Sequence, residues 1–207
     1  MSGSRPQEAL YATLQPLVLA SGSPRRRRLL ESAGLRVRVE SSRVSEEGEP
    51  AGPDPVRSAE NWALSKARAV SLRFPESWVL SADTIVVLDK EIFGKPAGAE
   101  DARRMLERLS GRTHEVITGV CLMREAPAFC RAGSVVTRVT FKELSAPEIS
   151  AYVATGEPLD KAGAYGIQGG GAGLVRSVAG SYTNVVGLPL CETLEWLLEQ
   201  GVIAPAA

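Results

Sequence analysis

The chain has 207 residues, with 24 Lys plus Arg against 24 Asp plus Glu, one His, three Cys, 44% apolar and 23% charged residues. This is the composition of an ordinary globular protein long enough to bury a real core, and its zero net charge excludes the overall positive field of a dedicated nucleic-acid binder. The lone His114 excludes multi-histidine metal sites, and Cys121, Cys130 and Cys191 lack Cys-x-x-Cys spacing, so neither a disulfide framework nor a zinc ribbon is indicated.

The residues up to about Gln15 read as a flexible N-terminal extension. The apolar stretch before Ser23 is broken by Thr13, Gln15 and Pro16, unlike a secretory leader, and no run approaches the ~20 apolar residues that span a bilayer. The chain therefore reads as a cytoplasmic, single-domain protein. Leu17 to Ala20 form a short apolar run ending at Ser21-Gly22-Ser23-Pro24. Ser23 suits an N-cap, Pro24 the first helical position and Gly34 a stop, so a strand, a tight turn and a helix from Pro24 to about Ala33 are predicted. Arg36 to Glu40 alternates as a half-buried strand does. It leads into a Pro-rich, Gly-rich and acidic stretch from Glu46 to Pro55, read as a surface loop. A helix is predicted over Val56 to Leu72, with Trp62, Ala63, Ala67 and Val70 on its buried side.

Trp78 to Leu88 is the most apolar strand in the chain, with Asp83 in its middle, and Asp89-Lys90 turns it into Glu91-Ile92-Phe93. Ala99 to Leu109 reads as a helix stopped by Ser110-Gly111, followed by strands at Glu115 to Met123 and Ser134 to Phe141. Ser145-Ala146-Pro147-Glu148 has capping-box form and opens a helix ending at Gly156. A glycine-rich stretch, Gly163 to Gly173, precedes a further strand, a turn at Gly180 and a last helix near Pro189 to Gln200. Helices interleaved with strands give an α/β fold, read as two lobes around a cleft.

Three features carry chemistry. Arg25, Arg26, Arg27 and Arg28 fill the first turn of a helix, where the macrodipole is positive and each exposed cation costs about 0.3–1 kcal/mol. An anion relieves that cost, and backbone N–H groups of Ser21-Gly22-Ser23 with guanidinium forks suit a phosphate. The alternative is a solvated basic run or a nucleic-acid patch. Asp83, inside an apolar strand, has to be paired, metal-bound or neutral, so it is either a structural or a catalytic carboxylate. Lys66 and Lys95 supply further cations, and Glu46-Glu47 further acids, completing a set suited to a polyphosphate and its divalent ion. The glycine-rich stretch matches neither a Walker loop nor a dinucleotide fingerprint, but Gln168 within it can both donate to and accept from a base edge. Its bland reading is a plain loop. His114 reads as a structural hydrogen-bonding residue at the start of a strand.

Taken together, these motifs resemble the Maf family of nucleoside triphosphate pyrophosphatases. The resemblance rests on Ser21-Gly22-Ser23-Pro24-Arg25-Arg26, Ala82-Asp83-Thr84, Gly94-Lys95-Pro96, Ser110 to His114 with Thr118-Gly119-Val120, Asp160 to Gly169, and Gly180-Ser181-Tyr182 with Val185 to Pro189. It implies an elongated, mixed-sheet α/β fold with a deep central groove, similar to the inosine triphosphatase fold, and a cytoplasmic homodimer. It also implies hydrolysis of a nucleoside triphosphate between the α and β phosphates with Mg²⁺ or Mn²⁺. Within the family, Arg25, Thr84 and Gln168 are the residues of the dTTP and UTP group and mark substrate specificity. Asp83 is implied as the proton acceptor, or as a metal ligand with a metal-bound hydroxide as base. Ser21, Ser23, Arg26, Lys66, Lys95 and Lys161 are implied as phosphate-binding, and Glu46 as the metal-linked acid. Ser45 stands where the family often carries Asp, which leaves Glu46 or Glu47 for that last role.

The expected activity is removal of dTTP, UTP or modified pyrimidine nucleotides from the nucleotide pool, with the triphosphate as partner and neither nucleic acid nor membrane involved. The alternative function is a non-catalytic nucleotide-binding regulator of cell division and septum formation.

Overall fold

The computed structural model describes residues 9–42, 44 and 54–206. Strand β1, Tyr11–Thr13, lies within the stretch expected to be a flexible extension. It pairs antiparallel with β9, Ile203–Pro205, near the other end of the chain. Next come β2, Leu17–Leu19, helix α1, Pro24–Ser32, the two-residue β3, Arg38–Val39, and α2, Pro55–Ser71. Gly34 takes φ +91° just beyond α1, and a Cβ there would lie 2.6 Å from Ala9 Cβ, so the expected helix stop requires glycine on two counts.

The main sheet forms around β4, Trp78–Leu88, an unbroken strand through the apolar run. Strands β2 and β3 run parallel beside it, joined through α1 and α2 as β-α-β crossovers. On its other edge β4 pairs antiparallel with β6, Thr113–Arg124, which pairs with β7, Phe129–Phe141, and that with β8, Val175–Ala179. The hairpin β6–β7 is longer at both ends than its apolar residues predict, because backbone pairing continues past the core from Thr113↔Thr140 to Arg124↔Phe129. Helices α3, Ala99–Leu109, α4, Ala146–Ala154, and α6, Leu190–Glu199, match expectation closely, and α4 has the full capping box at Ser145 and Glu148. A short helix α5, Tyr182–Val186, was not anticipated; Ser181 caps it by accepting from Asn184 N–H.

One face of β4 meets two parts of the core in succession. Trp78, Leu80 and Ala82 pack with Leu19, Leu30, Leu188 and Leu197, whereas Val86 and Leu88 pack with Leu106, Leu109, Phe141 and Tyr165. Thr84 lies between these two clusters, while Asp83 on the opposite face lies between Val79 and the cluster of Ile85 and Val87. The edge of β4 is interrupted at the same place. Strand β2 covers Trp78 to Leu80, and β5, Glu91–Phe93, covers only Val86 to Leu88. Residues 81–85 thus border a gap in the sheet, where a ligand can reach the strand edge-on.

Candidate active site

A groove of about 1220 Å³ opens at this gap. It is lined by the turn after β2, the start of α1, one flank of α2, the middle of β4, the Gly94-Lys95 turn and the segment from Glu157 to Gly169. Asp83 and Thr84 point to opposite faces of β4 by strand alternation, yet both line it, because the missing neighbour strand joins the two faces.

On one face stands a buried ion pair. Asp83 is 5% exposed and accepts a hydrogen bond from the Lys66 ammonium, itself 7% exposed. Isolated carboxylates do not persist in an apolar strand, and pairing is how this one is accommodated. Lys66 reaches it because α2 lies hard against the sheet: a Cβ on Gly119, the residue opposite Asp83 on β6, would lie 2.2 Å from the Ala59 carbonyl oxygen. Ser81 on the same face donates to the Ala63 carbonyl at 2.6 Å and ties the strand to the helix. Trp62, expected within the core, is only half-buried and lines the groove one turn before Lys66.

On the other face Arg26 joins three elements. Its Nε donates to the Gly187 carbonyl at 2.7 Å, one terminal nitrogen to Ser21 Oγ at 3.0 Å and the other to Thr84 Oγ1 at 3.0 Å. Thr84 also shares a 2.9 Å hydrogen bond with Thr118, whose hydroxyl donates to the Asn184 carbonyl. Ser23 occupies the N-cap of α1, but its side chain makes no capping bond; its own N–H donates to Ser21 Oγ at 3.3 Å. The arginine run divides by helical position. Arg25, Arg26 and Arg28 line the groove, while Arg27 forms an exposed i,i+4 pair with Glu31.

The far wall carries Arg25's partner, Asp160, at 3.5 Å. Lys161 Nζ donates to the Glu157 carbonyl and to Asp160 Oδ1, each at 2.6 Å. Burial works to raise the pKa of Asp160, but the hydrogen bond and charge of Lys161 and the charge of Arg25 hold it below the usual carboxylate range. Lys95 and Gln168 are exposed at the mouth. Every site residue expected from the sequence therefore borders one groove except Glu46, which with Glu47 lies outside the described residues. Sequence reasoning missed Tyr152 and Glu157, which hold the glycine-rich segment; only their spacing of five residues across a Gly156 turn hints at them. His114 is buried as expected, hydrogen-bonded through Nε2 to the Tyr165 hydroxyl at 2.8 Å, and burial pulls its pKa down to about 4.

Residues 16–200 match a family model described as Maf-like protein. The chain belongs to this family. A relative from Desulfotalea psychrophila, named dTTP/UTP pyrophosphatase, is 49% identical over 195 residues, covering 94% of this chain and all (100%) of that one. Relatives of the same name from Geobacter metallireducens and Geobacter sulfurreducens are 52% and 53% identical, each match covering 90% of this Maf-like chain and 97% of the relative. A solved dITP/XTP pyrophosphatase from Mycobacterium abscessus superposes with TM-score 0.43 at 16% identity, covering 63% of this chain and 76% of that one. No helix among the described residues is long and apolar enough to cross a membrane.

Proposed function

We propose that this protein hydrolyses dTTP, UTP and modified pyrimidine nucleoside triphosphates to the monophosphate and pyrophosphate, clearing them from the nucleotide pool. The observation that carries the reading is the shared position of Asp83 and the cations Arg25, Arg26, Lys66 and Lys95 on one groove open at a break in the sheet. The half-identical relatives named dTTP/UTP pyrophosphatase agree with it.

In the reaction a water oxygen bonds to the α-phosphorus, the bond from that phosphorus to the bridging oxygen breaks, and pyrophosphate leaves with the electron pair. Asp83 takes the proton from the water as the new bond forms. Such a base contributes about 10²–10⁴ in rate. Lys66 holds the Asp83 carboxylate in place, and Lys95, Arg25 and Arg26 neutralise charge that builds on the phosphate oxygens. Ser21, Ser23 and Lys161, which line the groove, bind phosphate, while Thr84 and Gln168 help select the base.

Among the described residues no group of three or more His, Cys, Asp or Glu could hold a metal ion. Asp83, a carboxylate lining the groove, is a donor of the kind Mg²⁺ or Mn²⁺ takes alongside substrate phosphates. On the family resemblance Glu46 would hold the ion, and Asp83 would do so in the alternative in which it is not the base. When bound, the cation supplies charge neutralisation on the phosphates and a more acidic water. On the family resemblance the enzyme is a cytoplasmic homodimer acting on free nucleotides.

The test is product analysis. Incubation with a nucleotide panel and Mg²⁺ or Mn²⁺, followed by ion exchange, should give monophosphate and pyrophosphate from dTTP and UTP. Diphosphate and orthophosphate would contradict the reading.

A further inference from the structure

Two side chains outside the glycine-rich segment receive its backbone. Glu157 Oε2 accepts the Gly170 N–H at 2.8 Å, and Oε1 accepts the Tyr152 hydroxyl at 2.8 Å and the Gly171 N–H at 3.3 Å. The Tyr152 oxygen in turn accepts the Gly166 N–H at 3.0 Å. Tyr152 is 6% exposed, so this hydroxyl is fixed by its surroundings. Gln168 lies in the middle of the span held in this way.

The glycines themselves are explained by the same contacts. A Cβ on Gly169 would lie 2.4 Å from Glu157 Oε2, one on Gly171 2.6 Å from the Tyr152 hydroxyl, and one on Gly166 2.6 Å from Lys161 Cε. None of the three has positive φ. Their need is space for the carboxylate, the phenol and the ammonium stem, not backbone freedom.

We propose that Glu157 is a positioning residue for base selection, which fixes with Tyr152 the backbone that presents Gln168 to the nucleobase. The inference rests on the reading of Gln168 as a base-contacting residue. A carboxylate suits this place because it only accepts, and three donors converge on it. Replaced by an amide, one of its two ends opposes a donor with a donor at nearly unchanged volume. Charge-assisted bonds of this kind hold more strongly than neutral ones, so the segment is stiff where a base edge has to be read.

The test compares E157Q, Y152F, Q168A and E157Q/Q168A in the full chain, with E157D as the conservative change. Amide hydrogen exchange at Gly166, Gly170 and Gly171 is measured alongside kcat and KM for dTTP and dGTP. In E157Q we expect faster exchange at Gly170 and Gly171, and a preference for dTTP reduced about tenfold, the size expected for losing one bond to a charged group. The loss should appear mainly in KM for dTTP, with kcat on dGTP within about threefold of the parent. E157D should restore part of the preference, Y152F should repeat the pattern more weakly, and the double variant should lose no more than Q168A alone. If E157Q keeps the preference while Q168A loses it, Glu157 does not act through Gln168 and the proposal fails while the Gln168 reading stands. If Q168A keeps the preference, the Gln168 reading fails and takes the proposal with it. Equal loss on both nucleotides in E157Q would make Glu157 a purely structural residue and overturn the proposal.

Discussion

Asp83 and Gly119 oppose each other across β4 and β6, and α2 crosses both on the same face. With no side chain at 119, the helix backbone settles onto the sheet and brings Lys66 within hydrogen-bonding reach of the carboxylate. The gap in the other edge of β4 then leaves this buried pair open to the groove.

Gly119→Ala should therefore damage the site without touching it. The new methyl would lie 2.2 Å from a backbone carbonyl oxygen that cannot rotate away. Overpacking of this kind costs about 1–3 kcal/mol, and here it lifts α2 and draws Lys66 from Asp83. Urea denaturation should show the loss of stability, and dTTP turnover should fall by more than that loss of folded protein explains. A variant with parent activity would show that α2 does not set the pair.

Lys66→Met removes one partner from an ion pair whose side chains are 9% and 8% exposed. Leaving a buried charge alone costs about 3–5 kcal/mol, while replacing both partners is often close to neutral. We expect K66M to be destabilised by about 3 kcal/mol, the lower end because the pair meets the groove, and K66M/D83N to recover much of it. Additive losses in the double variant would mean that the two groups are not coupled.

Arg26→Lys tests the cross-link between the β2–α1 turn, β4 and Gly187. A guanidinium fork reaches Ser21, Thr84 and the Gly187 carbonyl at once, whereas an ammonium is a single point on a flexible stem. Loss of two such bonds should cost about 1–3 kcal/mol in thermal or urea denaturation and raise KM for dTTP. An unchanged KM would confine Arg26 to a structural role.

His114 gives a pH dependence of stability. Its pKa falls from 6.5 to about 4 on folding because burial disfavours the cation. The unfolded chain then binds a proton that the folded one refuses, so stability is full above about pH 6.5 and declines as pH falls toward about 4, by roughly 3 kcal/mol from this group. His114→Phe should flatten that part of the profile relative to the parent, beyond any constant offset from the lost Tyr165 bond. Parallel profiles for parent and variant would contradict the assignment.

Asp83 and the arginine run were legible in the sequence because each carries a local conflict, whereas the Ser21 and Ser23 side chains, Thr84 and Lys161 were legible as site residues only through the family resemblance. Asp83 interrupts an apolar run, and Arg25 to Arg28 load the wrong end of a helix. Pro24, Gly34 and the Ser145–Glu148 box mark helix ends by local chemistry, so α1 and α4 fall where expected. What was not legible depends on distant partners. Tyr11–Thr13 becomes a strand only because Ile203–Pro205 lies beside it. Ser23 looks like a cap, but its side chain makes no capping bond, and it is Ser21 that accepts from the Ser23 N–H and from Arg26. Glu157 carries no signal of its own, since two of its three donors come from residues 13 and 14 positions later in the chain. Trp62 satisfies the helical period of a core residue, and only the break in the sheet leaves it at the edge of the groove.

The central claim, that Asp83 takes the proton in α–β cleavage, is tested most directly by Asp83→Asn assayed for dTTP turnover and, separately, for dTTP binding by calorimetry. Turnover should fall by about 10²–10⁴ while affinity stays within a fewfold of the parent. A variant that still releases pyrophosphate at the parent rate would contradict it.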